Sequence, residues 1–298
     1  MGHDHAWSAA GAARGRLVTV LLLTLAVLVV EVAGALASGS LALLADAGHL
    51  LADVAGIGLA LLAVWFAARP ATSARTFGYY RMEILAAVIN AVVLFGVGVA
   101  VLVEAWRRLV EPPRVASGLM LVVALVGLAA NGVSLWLLRR GQAESLNLRG
   151  AYLEVMGDLL GSAAVVVAAL LIALTGWRAA DPVASVLVGL LILPRTWRLL
   201  RDAVDVLLEA TPAGMDLEEV RSHIISEPGV ADCHDLHAWT ITSGMPVLSA
   251  HVVLAEGAHG PAVLDRLGEC LRGHFDVEHS TFQLEPPGHR DREGATHP

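Results

Sequence analysis

Asp46, His49 and Asp53 stand together in an otherwise apolar stretch. At about 100° of rotation per helical residue, the three fall within roughly 60° of one another on one helix face. His49 and Asp53, four apart, sit one above the other. A second apolar stretch carries Glu154 and Asp158, also four apart. Two helices that each present such a pair can build a four-ligand site from His49, Asp53, Glu154 and Asp158. One imidazole with carboxylates at tetrahedral geometry suits Zn²⁺. Co²⁺, Cd²⁺ and Mn²⁺ fit as well, because N/O donors discriminate weakly by affinity. Mg²⁺ and Ca²⁺ are disfavoured, since they prefer oxygen and more ligands. Glu31, Asn90 and Asn131 read as helix–helix hydrogen-bonding groups. Glu83 and Glu104 read as helix-end groups facing headgroups or water.

A second constellation lies near the C-terminus. His234, His237, His251, His259, His274 and His279 fall within 46 residues. His279 and Glu285 are six apart on an alternating segment and point to one face. His234 and His251 belong to segments expected to be neighbouring strands. Together, His234, His251, His279 and Glu285 form a candidate regulatory metal site. His3 and His5 are placed for weak metal capture from the N-terminus. Cys233 and Cys270 make no disulfide framework and read as reduced thiols.

The elements that must position these groups follow from hydropathy. The chain has 298 residues, is 56% hydrophobic and carries a net charge of −8. The acidic balance argues against nucleic-acid binding, which needs a basic face. Six apolar runs, at roughly 17–37, 40–66, 82–106, 117–138, 148–174 and 179–200, are each long enough to span about 30 Å of hydrocarbon. The first contains Glu31 and is too long for a cleaved signal, so it reads as a retained helix. Every basic residue is Arg. With the N-terminus inside, the inner segments hold Arg14, Arg16, Arg69, Arg75, Arg81, Arg139, Arg140, Arg149, Arg195, Arg198 and Arg201. The outer loops hold only Arg107, Arg108, Arg114 and Arg178. That bias places both termini in the cytoplasm. Beyond the last run, the order α-β-β-α-β is legible: a helix to Ser226, alternation over 230–241 and 247–254, a helix from Gly260-Pro261 to Phe275, and alternation over 277–285. The expected organisation is an N-terminal tail at 1–16, a six-helix transmembrane domain at 17–205, an α+β domain at 206–286 and a tail at 287–298.

Several stretches resemble the cation diffusion facilitator family, in particular its zinc-transporter branch. Gly39 to Asp53 (GSLALLADAGHLLAD) is similar to the family's second-helix motif. Thr76 to Glu83 (TFGYYRME) is similar to the start of its third helix, and Gly157 to Ser162 (GDLLGS) to its fifth. His234 to Trp239 (HDLHAW) and His279 to Glu285 (HSTFQLE) are similar to its cytoplasmic domain. The resemblance covers nearly the whole chain.

The resemblance implies a homodimer with six transmembrane helices and a ferredoxin-like, metallochaperone-like cytoplasmic domain. It implies exchange of Zn²⁺ or a similar ion for protons by alternating access, at His49, Asp53, Glu154 and Asp158. It also implies a cytoplasmic site at His234, His251, His279 and Glu285, and a charge pair, Arg81 with Glu209, linking membrane helices to the cytoplasmic domain. Glu154 departs from the branch, which usually has His there. The expected activity is therefore proton-coupled export of a divalent transition metal through the inner (plasma) membrane, with metal as substrate and regulator and no prosthetic group. It is not an enzyme: no HExxH motif or further general base accompanies the ligands. The alternative is a membrane-anchored metal sensor without transport.

Overall fold

The computed structural model describes residues 3–67, 69–139, 146–289 and 292, with side chains from 18 onward except at 57, 60–64, 67 and 146–150. Six long helices come first: α1 (His3–Ser38), α2 (Leu41–Ala67), α3 (Met82–Val110), α4 (Ser117–Leu138), α5 (Leu146–Thr175) and α6 (Ala180–Leu207). A helix α7 (Leu217–Ser226), strands β1 (Val230–Thr240) and β2 (Pro246–Leu254), helix α8 (Gly260–Phe275) and strand β3 (His279–Glu285) complete the chain. α1 begins well upstream of the apolar run, inside the segment expected as a tail.

The chain divides into two compact units, Met1–Leu61 with Ile89–Leu200, and Leu62–Val88 with Arg201–Pro298. The second unit takes in the α2–α3 connection as well as the chain after Leu200.

In the first unit, small residues let helices approach closely. Ala35, Ala42, Ala124, Ala168, Ala169 and Ala180 are buried in one cluster with Leu43, Met120 and Val123. A Cβ at Gly34 of α1 would lie 2.6 Å from a methyl of Val123 on α4, so only glycine allows this crossing. The outward faces stay apolar: Val29, Leu36, Trp106 and Leu174 are exposed. Water would penalise that belt, whereas hydrocarbon accepts it. Among the described residues, five helices are long and apolar enough to cross a membrane. α2, with 27 residues, carries no charge beyond Asp46, Asp53 and His49. The protein is a multi-pass helical membrane protein.

α2 is fixed at its start. Gly39, at φ 72°, ends α1, with its N–H on the Ala35 carbonyl at 2.9 Å. The Ser40 hydroxyl accepts from the Leu43 N–H at 3.2 Å. Asp181, in the first turn of α6, accepts from the Ser40 hydroxyl at 2.5 Å and from the N–H groups of Leu41 (2.8 Å) and Ala42 (3.2 Å). A carboxylate at these orphan N–H groups satisfies them and complements the helix dipole.

In the second unit, β2 lies between β1, antiparallel to it, and β3, parallel to it. Val220 and Ile224 of α7, and Leu267 and Leu271 of α8, are buried against Cys233, Leu248, Ala250 and Val252 of the sheet. The Asp216 side chain caps α7, accepting from the Glu218 N–H at 2.9 Å. The α-β-β-α-β order and its two-layer packing agree with the sequence reading.

Candidate metal centres

α2 and α5 bring His49, Asp53 and Asp158 together. His49 Nε2 lies 3.2 Å from an Asp158 carboxylate oxygen and 3.6 Å from one of Asp53. One ligand atom from each lies within 4.8 Å of the others. The imidazole nitrogen and two carboxylates are a transition-metal donor set. Asp53, Glu154 and Asp158 line one cavity of about 340 Å³, with Val18, Leu21 and Ala151.

Glu154 stands one turn from Asp158 yet does not join the three ligand atoms. Arg195 Nη2 donates to its Oε1 at 2.7 Å. Helical spacing placed Glu154 on the right face; it could not show that a cation from α6 would claim the carboxylate. Of the four expected residues, His49, Asp53 and Asp158 bring possible ligand atoms within 4.8 Å of one another, and Arg195 holds Glu154 beside them.

Asp46 lies a turn before His49 and faces α5, accepting from the Ser162 hydroxyl at 3.1 Å. Asn131 of α4 donates to that hydroxyl at 3.2 Å, which is the helix–helix role expected of it. Glu31 has no such bond: neither carboxylate oxygen has a hydrogen-bond partner among the described residues.

The second centre sits on the sheet face turned away from α7 and α8. Cys233, Ala250, Val252 and Leu284 pack toward the helices, so by alternation His234, His251 and Glu285 face the other side. His234 and His251 are direct cross-strand partners. Glu285 receives both: His234 Nε2 at 3.1 Å and His251 Nδ1 at 3.0 Å. Gln283 Nε2 donates to Glu285 as well, at 2.9 Å. Two imidazoles and a carboxylate within 4.8 Å suit Zn²⁺ better than an oxygen-seeking ion.

His279 is not in this group. It shares a face with Glu285, but six residues of strand separate them by about 20 Å. Its ring instead meets Phe77, with centroids 5.6 Å apart. The sequence reading weighed face and ignored distance along the strand. It also missed Asp235, whose carboxylate lies 3.9 Å from His234 and 3.8 Å from His251. Strict alternation points Asp235 to the opposite face. The register shifts between His234 and His237, and Asp235 takes φ 46°, so the bulge turns it toward the histidines.

The remaining candidates fall as follows. Arg81 Nη2 meets Glu209 Oε1 at 2.7 Å. Glu83, expected to face headgroups or water, accepts from the Thr242 hydroxyl, and from that of Ser243 at 3.0 Å. Burial pushes the Cys233 thiol up to about 11 and raises Cys270 too, so neither offers a thiolate at neutral pH. The side chains of His3 and His5 lie outside the described residues. Asp181, in the first turn of α6, and Arg195, in its middle, had no sequence signal that named their partners; only the folded chain brings Asp181 to the start of α2 and Arg195 to Glu154.

Comparison with known proteins agrees with this architecture. Residues 17–208 match the family described as cation efflux transmembrane domain, and residues 212–287 match the cation efflux protein, cytoplasmic domain. The metal cation efflux system protein CzcD of Cupriavidus metallidurans is 47% identical over 287 residues, which is 96% of this chain and 90% of that protein. The zinc transporter ZitB of Escherichia coli is 44% identical over 272 residues, 91% of this chain and 87% of the relative. A cadmium, cobalt and zinc/H⁺-K⁺ antiporter of Bacillus velezensis is 38% identical over 294 residues, 97% and 93% of the two chains. With both halves matched in order and these relatives aligned almost end to end, the chain belongs to the cation efflux, or cation diffusion facilitator, family.

Proposed function

We propose that the protein exports a divalent transition metal, Zn²⁺ foremost, from the cytoplasm in exchange for protons. The observation that carries this reading is the convergence of His49, Asp53 and Asp158 from two membrane helices beside a cavity. Ionisable groups inside a bilayer mark ion pathways by default. Similarity to proteins named as zinc and zinc/H⁺-K⁺ transporters points the same way.

Metal needs deprotonated ligands, so metal and protons compete for the same three side chains. An imidazole changes charge near physiological pH, which suits that competition. On the cytoplasmic side metal displaces protons; on the far side protons displace metal, and the proton gradient drives net export. Glu154 adds a fourth ligand when Arg195 releases it. His234, His251 and Glu285 hold a second ion of regulatory character, with Asp235 alongside. We place the chain in the inner membrane with both termini cytoplasmic, working as a homodimer.

The test is transport in proteoliposomes. Asp53→Ala and Asp158→Ala should each abolish Zn²⁺-driven proton flux, while size-exclusion profiles stay those of the wild type. Normal flux in either variant rules out this site. Zn²⁺ binding without flux in the wild type would instead favour the sensor reading.

A further inference from the structure

α7 and α8 each carry a histidine in their last turn, His223 and His274, and both side chains reach solvent. The two rings meet, with centroids 5.1 Å apart and planes at 44°. Phe275 stands edge-on against His223, with centroids 5.0 Å apart. This pair belongs to the helical layer of the second unit, whereas His234, His251 and Glu285 lie on the sheet face turned away from α7 and α8.

The ring nitrogens are sorted by their partners. His223 Nδ1 lies 2.9 Å from the Glu219 carbonyl oxygen, and His274 Nδ1 lies 3.1 Å from that of Cys270. A carbonyl only accepts, so each Nδ1 carries a proton. In the neutral imidazole, Nε2 then holds the lone pair. Neither Nε2 has a hydrogen bond or ion pair among the described residues. A ring N–H donated to a backbone carbonyl is the arrangement that orients metal-ligating histidines. Two imidazoles on one tetrahedral Zn²⁺, with Zn–N bonds of about 2.0–2.1 Å, have ring centres about 5 Å apart. The spacing of His223 and His274 matches that value.

A simpler role is to complement the helix dipoles, since a cation is favourable at a helix C-terminus. Two imidazolium rings this close repel each other, however. α8 also has Arg272 in its last turn, donating to the Gly268 carbonyl at 2.9 Å. The dipoles account for one histidine, not for the meeting of two.

We propose that His223 and His274 together bind a divalent transition ion through their Nε2 atoms, with water completing the shell. An imidazole pair suits Zn²⁺, Co²⁺, Ni²⁺ and Cu²⁺, not Mg²⁺ or Ca²⁺. With two protein ligands and open access, this site is weaker than the centre on the sheet, which offers two imidazoles and a carboxylate. It fills after that centre, when metal is abundant, and the bound ion clamps α7 to α8. The inference goes beyond the export reading and holds whether or not the protein transports.

The experiment is equilibrium dialysis of Zn²⁺ against the full-length protein in nanodiscs, with free Zn²⁺ raised in steps. The double variant His223→Gln/His274→Gln should lose about one bound ion per chain at the highest step and keep wild-type binding at the lowest. Equal binding at every step overturns the proposal. Should the double variant not fold, carbethoxylation of histidines in the wild type, read by mass spectrometry, decides instead. Zn²⁺ at the highest step should slow modification of His223 and His274 together, and Mg²⁺ should slow neither. Protection of neither residue, or of one alone, overturns the proposal.

Discussion

Glu154 illustrates how one contact redirects a candidate ligand. Its carboxylate is bound by Arg195, and both side chains are substantially exposed, at 37% and 53%. A pair that open to solvent is worth about 0–1 kcal/mol. A dication arriving beside Asp158 can therefore compete for Glu154 at small cost. Removing the guanidinium in Arg195→Gln should tighten Zn²⁺ binding at the membrane site by up to about fivefold, the factor equivalent to about 1 kcal/mol. Titration calorimetry checks this. Unchanged or weaker binding would show that Arg195 does not hold a ligand in reserve.

At the scale of elements, the placing of His49 and Asp53 in the candidate metal site depends on where α2 starts. Asp181 supplies its carboxylate to two N–H groups and the Ser40 hydroxyl there, from a residue 140 positions away. α2 then carries His49 and Asp53 on one face, toward α5. Asp181→Ala should remove the cap and leave buried donors unsatisfied, costing about 2–3 kcal/mol. The expected signs are a lower thermal midpoint and weaker Zn²⁺ binding together, since a shifted α2 moves two ligands. Asp181→Asn, which keeps one acceptor oxygen, should recover part of both. Full stability in Asp181→Ala would show that α2 is positioned by its apolar packing alone.

Over the whole molecule, two solvents shape two units. The first exposes an apolar belt and buries Glu31, Asp46, Asp158 and Asp181; the second builds a conventional buried core under a small sheet. The second unit also gathers the α2–α3 connection, through Arg81 with Glu209, Glu83 with Ser243, and Phe77 with His279. Its core holds Cys233, whose thiol burial moves from an ordinary 9.0 to about 11. Below pH 9 the thiol is neutral in folded and unfolded chains alike, and its contribution is constant. Between about 9 and 11 the unfolded chain loses the proton while the folded one keeps it, so stability falls as pH rises. The loss approaches on the order of 2 kcal/mol by pH 11. Thermal melts of the second unit in the full chain should show this alkaline slope reduced in Cys233→Ala. Equal slopes would mean that the thiol is not protected.

The sequence by itself determined the six apolar helices, the α-β-β-α-β order and the pairing of His49 with Asp53 on one face. These depend on local periodicity and on runs long enough for hydrocarbon. It also marked His234, His251 and Glu285, because alternation assigns each to a sheet face. Only the tertiary structure decided which partners those groups meet. Arg195 holds Glu154, Asp181 caps α2, Asp235 turns in at a bulge, and His279 lies about 20 Å along its strand from Glu285. Periodicity gives the direction in which a side chain points. Distances between groups remote in sequence arise only when the helices and strands pack.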